Sequence, residues 1–385
     1  MNVEMHDGAI KKLKGLIKTI IMDSCSMKKE VNHVYDMEPY EKIAKELNNR
    51  KTNYEIDPAS CFMILHKIRL KNKVQKSNSE SLDNCVDMVF NAFAKTPFEC
   101  DIQIHFNKVK HFKSKQCFNT LSAITGKMDS SLIFPNEHEK YLIINLKTKG
   151  FYTGAHPESF IKSAIRDVNV LIFLLITNGV LSDNLYEVLT PSYFSMNEIS
   201  KSIPVEVNVI NTQFPFFSTN AKLPASIENY YSILTVNDGY SELALYNAFD
   251  VANSVVDDNS RELLRIKSAI DWLVNSIINE DKTMAFVQAC MGLESIFGDD
   301  DYEGGLTTIL SDRCAYLIGK NIKDRAEIKK TFREIYQIRS KIIHGVRNCL
   351  SEKEQTMLYM ARQFLRKSIL KELGNLELLS LSQQR

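Results

Sequence analysis

Arg339-Ser340-Lys341-Ile342-Ile343-His344-Gly345 closes a long amphipathic pattern in which Ile328, Phe332, Ile335, Ile338 and Ile342 recur at helical spacing. The pattern predicts a helix from about Asp324 to Ile343, stopped by Gly345, because glycine enters the left-handed conformation that closes helices at little cost. Two chemically useful side chains stand at that end. An arginine holds a phosphate through a planar fork of donors, and a histidine moves protons near neutral pH. Arg339 and His344 lie five residues apart, about 140° around a straight helix, so they do not share one face. A stop at Gly345 lets His344 fall on the last turn or just beyond it. Two such helices meeting at a twofold axis would supply two arginines and two histidines to one cleft.

Working outward, the chain from Asn237-Asp238-Gly239 onward reads as all-helical with short breaks. Asp257-Asp258-Asn259-Ser260 makes a polar entry to a helix carrying Leu263, Leu264, Ile266, Ile270, Trp272, Leu273 and Ile277. A second helix is expected over Lys282 to Phe297 with Met284, Val287, Met291 and Leu293, and a third over about Leu306 to Ile318, ended by Gly319. After the arginine-histidine helix, Ser351-Glu352-Lys353-Glu354 has the spacing of a capping box and opens a last helix to about Leu373. These elements predict an all-α bundle over residues 241–385.

The first 240 residues read differently. Strands are expected at Cys61 to Leu70, Asp101 to Phe106, Tyr141 to Leu146 and Val205 to Ile210, and helices at Tyr40 to Asn48 and Glu158 to Ile176. Lys71 to Asp83 reads as a polar exposed loop. The overall class is therefore α+β, a mixed α/β amino-terminal domain (1–240) followed by the helical bundle (241–385).

Bulk properties bound the function. The 385 residues suit two domains, with 44% hydrophobic and 25% charged residues and a net charge of +1. A neutral molecule has no global field for nucleic acid or anionic membrane, so any basic surface is local. One exists: from Lys320 to Arg347 nine Lys or Arg residues face only Asp324, Glu327 and Glu334. Such a run suits a phosphate track; it equally suits a solvated face with cations toward the negative end of the helix dipole. The eight cysteines show no CxxC pair, which favours reduced, buried thiols over a disulfide framework or zinc site. The longest apolar run, Val170 to Ile176, has seven residues, against about 20 for a membrane span. A cytoplasmic protein without membrane association is expected, with no metal and no cofactor.

The remaining motifs are weaker. His105, Lys108, Lys110 and His111 make a basic segment that suits a solvated edge better than a site. Asp299, Asp300, Asp301 and Glu303 lack the ligand spacing of a calcium loop. A phosphate loop of the GxxxxGK[ST] type is absent from the sequence.

Gly292-Leu293-Glu294-Ser295-Ile296-Phe297, then Leu306 to Gly319 with Arg313, then Ile335 to Gly345 together resemble the HEPN superfamily, and within it the ApeA-like branch. The family hallmark, an arginine, a polar residue, three residues and a histidine, is matched by Arg339, Ser340 and His344. Its Leu-Glu element is matched by Leu293-Glu294. The resemblance covers about Ser260 to Leu373. It implies a metal-independent endoribonuclease, dimeric through the HEPN domain and acting in anti-phage abortive infection or as a toxin. The amino-terminal region would then be a sensing or targeting module, and a phage-derived trigger or an antitoxin would be a further partner of the protein.

The implied substrate is RNA, transfer RNA among the options. Arg339 and His344 would be catalytic, Ser340 and Glu294 supporting, and Lys341 and Arg347 substrate-positioning. Glu294 would pair with Arg339 or serve only the fold. The alternative is a HEPN module without catalysis that binds RNA or an antitoxin. A purely structural helical dimer is a third reading.

Overall fold

Runs of Leu, Ile, Met and Ala at three- and four-residue spacing dominate the chain, and helices follow from them. The computed structural model describes residues 7–26, 37–49, 55–72, 79–106, 116–117, 121–127, 140–150, 157–182, 206–211, 213–221, 223–237, 239–298 and 306–379. The amino-terminal elements are α1 (Asp7–Ser26), α2 (Glu38–Asn48), α3 (Pro58–Asn72), α4 (Ser79–Ala94), β1 (Phe98–Phe106), β2 (Gln116–Cys117), β3 (Leu121–Lys127) and β4 (Lys140–Gly150). Next come α5 (Pro157–Thr177), β5 (Leu181–Ser182), β6 (Glu206–Asn211), a 3-10 turn (Pro215–Phe217), β7 (Thr219–Ala221), α6 (Ala225–Ile233) and β8 (Thr235–Val236). The rest is α7 (Glu242–Asp257), α8 (Arg261–Ile278), α9 (Lys282–Phe297), α10 (Leu306–Ile318), α11 (Ile322–Ile343), a 3-10 turn (Glu352–Glu354) and α12 (Gln355–Asn375). The class is α+β in the broad sense, with helices predominating among the described residues.

Two compact units divide the chain, and each is interleaved in sequence. One takes Met1–Ile102, Lys147–Ser163 and Asn208–Ala221; the other takes Gln103–Leu146, Ala164–Val207 and Lys222–Arg385. The division is interleaved in sequence and is not drawn at a single residue.

In the first unit, α1 packs on α2 and α4, and α3 packs on α2 and α4. Leu13, Ile17 and Ile21 of α1 and Cys61, Ile64, Leu65 and Ile68 of α3 are buried at helical intervals. The expected strand at Cys61 to Leu70 is thus a helix. Asp57 starts it: its carboxylate accepts from the Ser60 amide at 2.8 Å and the Ser60 hydroxyl at 2.9 Å. Pro58 occupies the first helical position, where its missing N–H is harmless. A continuous apolar run does not distinguish strand from helix by period; the Asp-Pro start did. Of the expected loop at Lys71 to Asp83, the two ends are helical, since α3 runs through Asn72 and α4 begins at Ser79, and residues 73–78 lie outside the described residues. Strand β1 has the expected alternation, with Cys100, Ile102 and Ile104 buried.

In the second unit, β3 pairs antiparallel with β4 from Leu121↔Leu146 to Lys127↔Lys140, and β5 pairs with β8. Val170 to Leu175 of α5 are buried, so this apolar run is core. Among the described residues, no helix is long and apolar enough to cross a membrane.

The carboxyl-terminal helices centre on α9, which packs on α8, α10, α11 and α12. Its buried residues, including Ala285, Phe286, Val287, Ala289, Cys290, Gly292, Leu293 and Ile296, lie all around the helix, as expected of an element surrounded by others. Gly292 permits the closest approach: a Cβ there would stand 2.4 Å from Leu365 Cδ2 and 3.2 Å from Trp272 Cβ. Met284, expected as core, is 48% exposed, because it lies in the first turn beside the cap. That cap is Asp281, whose carboxylate accepts from the Thr283 and Met284 amides at 2.8 and 3.3 Å. Arg362 of α12 donates through Nε to the Ser276 hydroxyl at 2.9 Å, and that hydroxyl donates to the Ala285 carbonyl at 2.6 Å. This polar thread ties α8, α9 and α12 together.

Candidate functional site

Helix α11 begins at Asn321, whose side chain accepts from the Asp324 amide. Ile328, Phe332, Ile335 and Tyr336 form its buried face, while Ile338 and Ile342 are only partly covered. The far end closes as a Schellman motif. The Val346 amide donates to the Lys341 carbonyl at 2.9 Å and the Gly345 amide to the Ile342 carbonyl at 3.1 Å, with Gly345 at φ +71°. His344 is the carboxyl-terminal cap, at φ −84° and ψ 9°, and is exposed. The glycine therefore sets where the imidazole stands, as its position in the sequence implies.

Arg339 turns toward the bundle. Its Nη2 donates to Glu294 Oε2 at 3.3 Å and lies 3.1 Å from Oε1. The two side chains keep 27% and 28% exposure, so the pair is half-sheltered. Arg339 Nε is buried and has no acceptor among the described residues, so an anion would reach the guanidinium from its Nη side. Burial pushes the Glu294 carboxyl up from its ordinary value of 4.5, while the Arg339 charge and the Tyr336 hydroxyl pull it back. Tyr336 also donates to the Cys290 carbonyl at 3.4 Å, and its ring stacks on Phe332 at 4.7 Å. Tyr336 was not singled out in the sequence. Its place one turn before Arg339 was the available signal.

Two further arginines hold the end of α9 that carries Glu294. Arg313 donates to the Phe297 carbonyl at 2.7 Å, and Arg265 Nε to the Ser295 carbonyl at 3.3 Å. Cations at a helix carboxyl terminus complement its exposed carbonyls. They fix the turn on which Glu294 sits.

The other expected residues separate into open and engaged groups. Ser340 and Lys341 are exposed on the last turn of α11. Arg347 is ion-paired with Glu354. The Ser351 amide and hydroxyl donate to that carboxylate at 3.0 and 2.8 Å, forming the expected capping box. Those bonds, reinforced by Arg347, hold the Glu354 carboxyl below its ordinary value. The structure thus brings Arg339 and Glu294 together and leaves Ser340, Lys341 and His344 open. It does not bond His344 to Arg339 within one chain: among the described residues no hydrogen bond or ion pair holds the imidazole.

Burial makes most of the described cysteines poor nucleophiles. Cys61, Cys85, Cys100, Cys290 and Cys314 are buried and unbridged, and Cys349 is exposed. Burial pushes the Cys100 and Cys314 thiols up to about 12. The basic segment from Lys108 to His111 and the acidic loop from Asp299 to Glu303 lie outside the described residues.

No family model, curated protein or solved structure matches this chain.

Proposed function

We propose that the chain is a metal-independent endoribonuclease of the HEPN type, active as a homodimer through its carboxyl-terminal helical bundle. The observation that carries this reading is a half-sheltered arginine, braced by Glu294, five residues before an exposed histidine cap on one helix end. In the reaction, His344 takes the proton of an RNA 2′-hydroxyl or returns one to the leaving 5′-oxygen. The 2′-oxygen bonds to phosphorus and the bond from phosphorus to the 5′-oxygen breaks. The products are a 2′,3′-cyclic phosphate and a 5′-hydroxyl. Arg339 stabilises the extra negative charge on the pentacoordinate phosphorus, while Ser340 and Lys341 position the strand. Arg347 joins them only when it leaves Glu354.

The apolar surface around His344 favours a twofold arrangement. Ile343 and Val346 flank it with 49% and 72% exposure, and a second copy would cover them while bringing its own arginine and histidine. The defence role, abortive infection triggered through the amino-terminal region by a phage-derived signal or released by loss of an antitoxin, belongs to the same proposal. A second reading, a HEPN module that binds RNA or an antitoxin without cutting, is favoured by the engagement of Arg339 with Glu294.

Incubating the purified protein in EDTA with total RNA and, in parallel, single-stranded DNA separates the two. Cutting of RNA alone, with cyclic-phosphate ends, is expected of the ribonuclease. Intact RNA that nevertheless co-migrates with the protein would support the binding module.

A further inference from the structure

At the opposite end of α11 from His344, an exposed tyrosine lies against two cations. Tyr316 of α10 is 63% exposed. The Arg325 guanidinium stands 4.9 Å and the Lys329 ammonium 5.2 Å from its ring centroid. Both cations come from α11, four residues apart, so the ring rests against one helix and the rest of its surface stays open. Arg325 is pinned as well, its Nε donating to the Gly319 carbonyl at 3.4 Å. Lys329 lies 3.0 Å from Asp312. The ring and its cations are thus arranged before any ligand arrives, which lowers the ordering cost of binding.

The four-residue interval continues from Arg325 through Lys329, Arg333 and Gln337 to Lys341. Residues at that interval form a ridge that drifts about 40° per step, so it runs about 24 Å along the helix while winding about 160° around it from Arg325 to Lys341. Arg333, Gln337 and Lys341 are exposed. Glu327 and Glu334 belong to neighbouring rows, and Asp324 accepts from the Lys320 amide at 2.8 Å. The ridge starts at an open aromatic ring and ends beside Ser340 and His344.

We infer that this ridge is a docking track for single-stranded RNA, with Tyr316 stacking on a base and Arg325, Lys329, Arg333 and Lys341 following the phosphates. The inference rests on the ribonuclease reading for its purpose, and it deepens that reading by saying where the strand lies. A strand with unpaired bases matches both features, since bases stack on aromatic rings irrespective of sequence while cations track the backbone. A duplex hides its base faces, and the carboxylates of an acidic polypeptide engage the cations but bring no ring of their own to Tyr316.

The test is fluorescence anisotropy of a labelled single-stranded 12-mer oligoribonucleotide on full-length His344→Ala protein, which keeps the RNA uncut. Adding Tyr316→Ala is expected to weaken binding about tenfold, while Tyr316→Phe retains it. Arg325→Gln and Lys329→Gln should each lower the salt dependence by about 0.7 in log–log slope. Asp312→Asn, which removes an anion from the track, should tighten binding, an effect that misfolding does not mimic. Equal binding by the parent and Tyr316→Ala proteins, or no binding by the parent, would overturn the track. Displacement of RNA by polyglutamate at equal charge would overturn it too, and would assign the face to an acidic protein partner. The two readings fail separately. Cleavage with unchanged KM in Tyr316→Ala sinks the track alone; Tyr316-dependent binding without cleavage by wild type sinks the ribonuclease alone.

Discussion

Arg339 and Glu294 form a pair sheltered enough to matter for folding, which shapes how any Arg339 variant is read. Removing the arginine strands a half-buried carboxylate, so Arg339→Ala should lose about 1–2 kcal/mol in urea unfolding, between exposed and fully buried pairs. Glu294→Gln in the same chain should recover part of that loss. The pH dependence has a definite sign. Glu294 already sits above 4.5 in the folded chain because of burial, and without Arg339 it rises further. A raised carboxyl binds its proton more tightly when folded, so the variant's extra instability should appear as pH climbs above 4.5 and fade in acid.

Asp167 offers a cleaner case. Burial first, with Asp257 adding and Lys267 and Arg166 opposing, carries it from 3.8 up to about 6. Stability from this group is therefore fully present below 3.8 and lost as pH rises toward 6, by at most about 3 kcal/mol. Asp167→Asn should flatten that part of the stability profile while leaving the slope above pH 7 unchanged. Chemical denaturation from pH 4 to 8 on both proteins checks it.

At the scale of elements, the helix ends were legible and the middles less so. Gly345, Gly319 and the Ser351–Glu354 box are local devices whose residue types carry their own geometry, whereas the caps Asp281 and Asn321 came only with the structure. The first three mark the ends of α10 and α11 and the start of α12 in the sequence almost as the structure has them. Cys61 to Leu70 was misleading because a buried apolar run has no period of its own, and the deciding Asp57-Pro58 start lies just outside it. Glu294 was visible as a residue, but its pairing with Arg339 depends on α9 and α11 lying side by side.

Two glycine substitutions test these contacts in different ways. A Cβ at Gly345 meets nothing within 4 Å, so Gly345→Ala pays only for φ +71°, about 1 kcal/mol in thermal or urea unfolding; Gly345→Asn should cost less. Gly292→Ala instead pushes into Leu365 and Trp272, and about 1–3 kcal/mol is expected from that overpacking. Leu365→Ala alongside it should relieve part of the clash.

For the whole molecule, the broad class is legible in local patterns but the division into units is not. Local signals locate strands β1, β4 and β6 and the five carboxyl-terminal helices α8 to α12. They do not say that segments as distant as Gln103–Leu146 and Lys222–Arg385 belong to one unit, since such pairings are set by side chains far apart in sequence. The same limit applies to the site, because one chain leaves His344 open and Arg339 turned to Glu294. Under the proposed function, a second copy would complete the exposed end of α11.

The most direct measurement compares wild type, Arg339→Ala and His344→Ala, each verified as folded and of the same oligomeric state, on total RNA in EDTA. The account predicts cyclic-phosphate fragments from wild type and none from either variant. Cleavage that persists in His344→Ala with the same ends would contradict it.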